Sequence, residues 1–190
     1  MEDHQDRGSE TTRVSRKGLL ELKARCGDLS KVQEWVQGNA RSIGDLHQVD
    51  TYFRVKHGRL KLRETAGRDL ASLIFYLRED LPTSKRSQVL LLEVDNAREL
   101  REILGEALGI LIVVEKRRTV YRWREVQIHL DEVKQLGTFL EFEKVTKSPD
   151  EERVAEEEFE YLKTALGIEK TEMVAGSYSD LLLARRSPVD

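Results

Sequence analysis

The segment that most restricts the fold is Arg59-Leu60-Lys61-Leu62-Arg63-Glu64, in which basic residues alternate with leucines. Successive side chains of a β-strand point to opposite faces, so this segment predicts a strand with one cationic and one apolar face. Two settings are open to such a strand. Either its leucines face a core and its cations face solvent, or its leucines lie beneath covering helices and its cations face an interior.

Similar alternation in other segments favours the second setting. In Glu21-Leu22-Lys23-Ala24-Arg25, charged residues occupy one side and apolar residues the other. Arg78 shares a predicted face with Ile74 and Tyr76. The polar sides of two later segments are formed by Gln127, His129 and Asp131, and by Glu141 and Glu143. Lys116 and Arg118 also alternate, but charges at Glu115 and Arg117 leave the facing of that strand open.

The order of the predicted elements indicates an α+β fold, an eight-stranded antiparallel β-barrel with helices packed on its outside. Short connections between consecutive strands favour antiparallel pairing, and a sheet with one charged face closes into a barrel around that face. Strands are predicted over 18–25, 46–55, 59–64, 70–78, 84–94, 110–121, 125–133 and 138–145. Helices are predicted after Asp28, Asn96 and Pro149, and over 177–186. We expect a disordered tail over 1–15 and one domain over 16–190.

The charges predicted to face inward are mostly positive, although the chain as a whole has a formal net charge of -3. The inward cations are Lys23, Arg25, Arg59, Lys61, Arg63, Arg78, Lys116 and Arg118. The inward anions are Glu21, Asp131, Glu141 and Glu143. Like charges in one small space repel, and a bound polyanion relieves that repulsion. We therefore expect a small polyanionic ligand, and no nucleic-acid partner because the cations are not gathered on an exposed face.

Composition restricts the compartment. The single cysteine, Cys26, excludes an internal disulfide, and no Cys and His spacing matches a zinc site. No apolar run approaches the roughly 20 residues that cross a bilayer. These features predict a soluble cytoplasmic protein without a membrane partner, and they leave monomer and homodimer open.

Glu141 and Glu143 lie two residues apart on one predicted strand and therefore point the same way. Such a pair gathers oxygen ligands for a hard cation such as Mg²⁺ or Mn²⁺. Alternatively, each acid only pairs with a neighbouring arginine. His129, beside these acids, is either a proton shuttle or a hydrogen-bonding spectator. Tyr52 and Tyr76 are open either to stacking on a base or to packing within the barrel wall.

Taken in order, these pieces resemble the CYTH superfamily of triphosphate tunnel metalloenzymes, which includes class IV adenylate cyclases and thiamine triphosphatases. The matching pieces are residues 21–25, 48–53, 58–64, 116–118, 129–133, Gly137 and 139–143, with residues 177–182 similar to the C-terminal signature. The resemblance implies a triphosphate tunnel that uses Mg²⁺ or Mn²⁺. It implies phosphate contacts from Lys23, Arg25, Arg59, Lys61, Arg63, Arg78, Lys116 and Arg118, and metal ligands from Glu21, Asp131, Glu141 and Glu143. Lys23, Glu141 and Glu143 are the implied catalytic residues.

One position departs from the family pattern. The N-terminal motif E-x-E-x-K has Leu19 at its first position here, so one metal ligand is missing. The leading expectation is a metal-dependent phosphohydrolase acting on inorganic tripolyphosphate, thiamine triphosphate or a nucleoside triphosphate. The alternatives are a class IV adenylate cyclase that converts ATP to cyclic AMP and pyrophosphate, and a phosphate-binding module without turnover.

Overall fold

The computed structural model describes residues 14–78, 83–169 and 172–186, which form eight strands and four helices. In chain order these are β1 (Ser15–Arg25), α1 (Ser30–Asn39), β2 (Arg41–Phe53), β3 (Arg59–Thr65), β4 (Ala71–Arg78), β5 (Lys85–Val94), α2 (Ala97–Leu108), β6 (Ile110–Trp123), β7 (Val126–Val133), β8 (Gly137–Thr146), α3 (Pro149–Leu166) and α4 (Tyr178–Arg186). The predicted tail lies outside the described residues except for Val14 and Ser15, and Ser15 is already part of β1. Pro82, which follows the predicted strand 70–78, also lies outside them.

The eight strands close into a barrel in the order β1-β5-β4-β3-β2-β6-β7-β8. Every neighbouring pair is antiparallel. The predicted fold is therefore confirmed. Closure removes the sheet edges and gives the barrel a true interior, in which one side chain in two points inward along each strand.

The larger apolar core lies outside the barrel, between its wall and two helices. Phe142 on β8 and Ile128 on β7 are fully buried against Phe159 and Leu162 of α3, and Val36 of α1 joins the same cluster. The helical spacing of these apolar residues gives each helix one stripe that faces the sheet. This packing turns Leu20, Leu22, Leu130 and Leu140 away from the lumen and fixes their polar neighbours inside it.

Helix α2 covers a further part of the outer wall, whereas α4 lies at one end of the barrel. Leu62 of β3 is fully buried beneath Leu100 and Leu104 of α2. Leu182 of α4 packs against Val114, which pairs with Asp50 and lies on the inner face of β6. The apolar side of the Arg59–Glu64 segment thus faces a covering helix, as the second of its two predicted settings requires.

The second strand is longer than its sequence pattern predicts. It begins at Arg41 and pairs with β6 along its length, with a register irregularity between Ser42 and Gly44. Such a bulge inserts an extra residue and breaks the regular alternation. Because the alternation is broken there, a period-two pattern does not predict the first five residues of the strand.

The turn between β2 and β3 requires glycine at position 58. Gly58 has a φ of 68°, and a Cβ atom there would lie 2.8 Å from side-chain atoms of Phe75 and Leu77 on β4. Glycine adopts positive φ without a steric penalty. The turn therefore sets the register that brings Lys61 opposite Tyr52.

Among the described helices, none combines the length and the apolar character that a membrane span requires.

The seam between β1 and β8 provides a test of this packing. A Cβ atom at Gly18 would lie 2.7 Å from the backbone oxygen of Thr146, whereas nothing lies within 4 Å of one at Gly27. We expect Gly18→Ala to lower the free energy of unfolding by about 1–3 kcal/mol, because the backbone of β8 must move. The control Gly27→Ala should change it by less than about 1 kcal/mol. Urea unfolding measures both, and equal effects of the two variants would contradict the close β1–β8 approach.

Candidate functional site

The barrel interior contains a cavity of about 140 Å³ with a surplus of positive charge. Its cationic lining residues are Lys17, Lys23, Lys61, Arg63, Arg78, Lys116 and Arg118. Its acidic lining residues are Glu21, Asp50, Glu141 and Glu143. The seven cations against four acids on this wall contrast with the negative charge of the whole chain. The cavity therefore has the electrostatic character that attracts a small polyanion.

Strand register brings these side chains into rows across the wall. Lys23 of β1 lies opposite Glu141 of β8, which lies opposite His129 of β7. In the next row, Glu21 lies opposite Glu143, which lies opposite Gln127. Directly opposed residues of antiparallel strands point to the same face. Spacings of two residues within three separate strands thus become one cluster of charges.

One wall of the cavity is organised around Asp50, a buried carboxylate on β2 that the sequence reading did not select as a site residue. Its two oxygens accept hydrogen bonds from Arg63 at 2.6 and 2.7 Å, from Lys61 at 3.0 Å and from Lys116 at 3.1 Å. Burial alone raises the pKa of Asp50, but the three cations outweigh it and hold that pKa well below 3.8. Asp50 is therefore an internal anion that holds three predicted phosphate ligands together.

The signal that could have identified Asp50 was present in its own strand. Gln48, Asp50 and Tyr52 alternate with residues of the opposite face, and all three are buried on the inner side. Tyr52 and Asp50 line the cavity, and burial raises the pKa of the Tyr52 hydroxyl. The β-forming residues of this segment predict the strand, and the alternation of Asp50 with Gln48 and Tyr52 assigns its carboxylate to the charged face.

The neighbouring wall is organised around Arg118, which lies two residues from Lys116 on β6. Its guanidinium donates to both oxygens of Asp131 at 2.6 Å and also to Glu141, whose other oxygen lies 2.6 Å from Lys23. Burial raises the pKa of Glu141 by itself, but Lys23 and Arg118 hold it well below 4.5. The hydroxyl of Tyr178 donates to Asp131 at 2.7 Å. Asp131 is thus fully engaged by Arg118 and Tyr178 in this structure.

The segment before and at the start of α4 closes one end of the lumen. The backbone N–H of Val174 donates to the carbonyl oxygen of Lys23 at 2.9 Å, and the Lys23 ammonium lies 3.9 Å from the centre of the Tyr178 ring. The ammonium of Lys85 donates to the carbonyl oxygen of Val174. Burial, with the charges of Arg78 and Lys23, lowers the pKa of Lys85 to about 8. Lys85 is a further buried cation that the sequence reading missed.

The other end of the barrel opens into a wider cavity of about 900 Å³. The residues that line both cavities are Lys17, Leu19, Arg63, Arg118 and Glu143. Leu19 lies opposite Val145, one row beyond the pair formed by Glu21 and Glu143. The apolar pair Leu19 and Val145 therefore lies between the charged cavity and the wide cavity.

Three metal-binding side chains meet where the two cavities join. One ligand atom each from His129, Glu141 and Glu143 lies within 4.8 Å of the others. The Nδ1 atom of His129 is buried and has no hydrogen-bond partner among the described residues. Two carboxylates and an available imidazole nitrogen fit a divalent cation. Of the four acids predicted as metal ligands, Glu141 and Glu143 belong to this cluster, whereas Glu21 pairs with Arg78 and Asp131 with Arg118.

The structure places six of the eight predicted phosphate ligands on the cavity wall and leaves two away from it. The six are Lys23, Lys61, Arg63, Arg78, Lys116 and Arg118. Arg25 is exposed at the end of β1, where it donates to the carbonyl oxygen of Leu136 at 3.3 Å. Arg59 lies 2.8 Å from Asp180 of α4 at the closed end. Lys116 and Arg118 both face inward, which resolves the facing of β6.

The buried Lys116 predicts a pH-dependent affinity for polyanions. Burial and the nearby Arg63, Arg118 and Lys61 lower the pKa of Lys116 to about 7, although Asp50 opposes the shift. The ammonium is thus charged below that pH and neutral above it, so it attracts an anion less as the pH rises through about 7. We expect the affinity of Lys116→Arg for tripolyphosphate, relative to wild type, to rise about tenfold between pH 6 and 9, because arginine stays charged. Calorimetric titration of both proteins measures this ratio, and a constant ratio would contradict the shift.

Removing the negative charge of Asp50 should destabilise the fold, because the cations of the lumen would then repel one another without compensation. We expect Asp50→Asn to lower the free energy of unfolding by about 3–5 kcal/mol, because Lys61, Arg63 and Lys116 lose their shared counter-charge. Tripolyphosphate should then raise the melting temperature of the variant more than that of wild type. The control is Asp45→Asn, an exposed position on the same strand. Differential scanning fluorimetry with and without the ligand checks this, and equal ligand-induced shifts in Asp50→Asn and wild type would refute the compensation.

Comparisons with known proteins agree with this geometry. The CYTH domain profile matches residues 20–178. A protein of Methanocaldococcus jannaschii, named as a candidate adenylate cyclase, is 28% identical in a 177-residue alignment that covers 85% of this chain and 97% of that protein. A solved Pyrococcus horikoshii structure superposes with a TM-score of 0.75 at 22% identity, covering 86% of this chain and 98% of the other.

A second solved structure comes from Hippeastrum and is described as a candidate adenylyl cyclase with a dominant triphosphatase activity. It has a TM-score of 0.59 at 18% identity and covers 88% of this chain and 95% of its own. At such identities the two structures support the fold. The family profile covers most of the chain, and with the charged lumen of a closed eight-stranded barrel it shows that this protein belongs to the CYTH domain family.

Proposed function

We propose that this protein is a divalent-metal-dependent phosphohydrolase that acts on a triphosphate bound in the barrel. The observation that carries the proposal is the lining of seven basic and four acidic side chains, most of them buried, in a cavity closed at one end. A chain of phosphates brings several negative charges into a narrow space, and this lining supplies the complementary cations. Membership of the CYTH family supports the same substrate class.

The residues of the Asp50 wall would bind phosphate oxygens. Lys61, Arg63 and Lys116 already converge on the two oxygens of one carboxylate, so their donors are directed towards a common point. A phosphate group offers the same kind of acceptor with more charge, and arginine binds it in the same bidentate way. Asp50 would stay in place and keep the three donors oriented, so binding would require little reorganisation of this wall.

Lys23 and Arg118 on the other wall would contact the part of the substrate nearest the metal. Both are held by Glu141, which also belongs to the candidate metal cluster with Glu143 and His129. When bound, Mg²⁺ or Mn²⁺ neutralises developing charge on the phosphoryl oxygens and orients the reacting group. Glu141 and Glu143 would hold that cation, and Lys23 would stabilise the phosphate next to it.

The geometry of the two ends supports an orientation for the substrate. The Tyr178 end is closed, whereas the opposite end widens to about 900 Å³. A triphosphate would therefore enter with its terminal phosphate first, and any organic group would stay in the wide mouth. This arrangement is compatible with inorganic tripolyphosphate, thiamine triphosphate and nucleoside triphosphates as substrates.

A class IV adenylate cyclase is the second candidate. It is favoured by the 28% identical M. jannaschii relative, whose name denotes a candidate adenylate cyclase, and by the room for a nucleoside in the wide mouth. The two reactions differ in the phosphorus that is attacked. Hydrolysis breaks the bond to the terminal phosphoryl group, whereas cyclisation joins the ribose 3′-oxygen to the α-phosphorus and releases pyrophosphate.

The deciding experiment supplies the protein with tripolyphosphate, thiamine triphosphate and ATP, each with Mg²⁺ or Mn²⁺. Released orthophosphate and cyclic AMP are measured in the same samples. We expect metal-dependent orthophosphate release from at least one substrate, with little cyclic AMP. Cyclic AMP as the main product from ATP would establish the cyclase. Tight tripolyphosphate binding without any product would leave a binding module, and renewed turnover in Leu19→Glu would then identify the lost ligand as the cause.

A matched pair of variants tests the phosphate-binding wall. Arg63 faces the lumen from β3, and Asp50 keeps Lys61 and Lys116 as partners when Arg63 is removed. We expect Arg63→Ala to lower kcat/KM for the preferred triphosphate by about 100-fold, because a charged donor to the transferring phosphate is lost. Arg117→Ala, on the exposed face of β6, is the control and should leave kcat/KM within about twofold of wild type. Equal losses in the two variants would argue against the lumen as the reaction site.

A further inference from the structure

His129 is a buried histidine with one ring nitrogen occupied and the other open. Its side chain is 3% exposed, and its Nε2 atom lies 3.1 Å from the amide oxygen of Gln127. An amide oxygen only accepts hydrogen bonds, so Nε2 carries the ring proton of the neutral imidazole. The Nδ1 atom then presents its lone pair, and it has no hydrogen-bond partner among the described residues.

The open nitrogen is directed at the two carboxylates of β8. Nδ1 lies 3.6 Å from an oxygen of Glu141 and 3.9 Å from an oxygen of Glu143. A charge-assisted hydrogen bond to a carboxylate would measure about 2.7–2.9 Å, so neither distance is a hydrogen bond. Two ligand atoms that share a metal ion in octahedral or tetrahedral geometry lie about 3.0–3.5 Å apart. The observed spacing therefore approaches that of atoms that share a cation.

Rigid strands hold this arrangement in place. His129 lies opposite Glu141, and Gln127 lies opposite Glu143, in the same antiparallel pair. Gln127 thus fixes both the tautomer and the ring orientation of His129. A hydrogen bond from the far nitrogen of an imidazole is the usual support of a histidine that binds metal.

Glu141 already accepts from Lys23 and Arg118, and neither Glu141 nor Glu143 makes a short contact with Nδ1. A neutral imidazole adds a donor atom without adding charge. At the same end of the barrel, Leu19 lies where the family motif has a glutamate, so the acidic ligand set is one residue short.

We propose that Nδ1 of His129 is a direct ligand of the divalent cation and that it makes the site select Mn²⁺ over Mg²⁺. With Glu141 and Glu143 it forms a mixed nitrogen and oxygen site. Magnesium strongly prefers oxygen ligands and retains its waters, whereas manganese accepts imidazole more readily. This inference rests on the metal dependence in the proposed function, and it assigns a ligand that acidic motifs alone do not supply.

Pulsed electron paramagnetic resonance tests the ligand without reference to turnover. The full-length protein is frozen with a substoichiometric amount of Mn²⁺ and methylenediphosphonate, a hydrolysis-resistant phosphate analogue that contains no nitrogen. We expect modulation from one directly bonded ¹⁴N nucleus. Absence of this modulation, or absence of Mn²⁺ binding, would overturn the proposal. If the ¹⁴N modulation is observed but the protein hydrolyses no triphosphate, the metal site is supported. The phosphohydrolase proposal is then refuted independently of it.

Two variants of His129 separate ligation from packing. His129→Leu removes the donor, and His129→Asn offers an amide oxygen close to the position of Nδ1. We expect both to lose the ¹⁴N signal and to lower the affinity for Mn²⁺ relative to Mg²⁺ by about tenfold or more, measured by calorimetry. His129→Asn should retain Mg²⁺ binding, so that variant keeps the test valid if the leucine variant fails to fold.

The matched control is His47→Asn. His47 also lies 3.0 Å from a glutamate, Glu115, but nearly half of its side chain is exposed. Its variant should keep the ¹⁴N signal and the preference for Mn²⁺. Loss of the signal in His47→Asn but not in the His129 variants would overturn the assignment, as would an unchanged Mn²⁺ to Mg²⁺ ratio in both His129 variants.

Discussion

Charge compensation inside the barrel is the interaction on which the rest of this structure depends. Asp50 holds Lys61, Arg63 and Lys116 on one wall, and Glu141 holds Lys23 and Arg118 on the other. Charges removed from water cost several kcal/mol each unless they are paired. Because each of these carboxylates serves several cations, the lumen folds without an equal number of acids. The remaining positive charge is available to an anionic ligand.

The covering helices make this interior possible. A sheet with a charged face would ordinarily turn that face to water, but the apolar stripes of α1, α2 and α3 pack on the leucine face. Closure of the barrel then removes the free edges and encloses the charged face. The segment that leads into α4 makes the two ends of the barrel different, because Tyr178 and Val174 close one end and leave the other open. The lumen therefore has one open end, through which a linear anion would enter end-on.

The candidate metal cluster lies between the two walls of the lumen. Glu141 serves both as a counter-ion for Lys23 and Arg118 and as a neighbour of His129 and Glu143. A cation there would compete with the two basic side chains unless phosphate oxygens engaged them at the same time. Metal and triphosphate are therefore expected to favour each other's binding. Leu19 reduces the negative charge of the cluster, and a neutral nitrogen donor from His129 adds a ligand without further charge.

Alternation within single segments is enough to predict the barrel and much of its lining. Alternation in Arg59–Glu64 and in residues 21–25 requires strands with two unlike faces, and this requirement is local to each strand. The same pattern identified the lumen-facing Lys23, Lys61, Arg63 and Glu141.

Tertiary structure decided which charges meet. Strands that are distant in the chain place Asp50 beside Lys116 and His129 opposite Glu141, and only cross-strand register fixes these distances. The same holds at the barrel ends, where Arg25 and Arg59 continue the alternation but lie away from the cavity wall. Periodicity assigns a side chain to a face, but it does not say how far along the barrel that face is enclosed. The chemistry of the site therefore depends on packing between strands and helices that no single segment encodes.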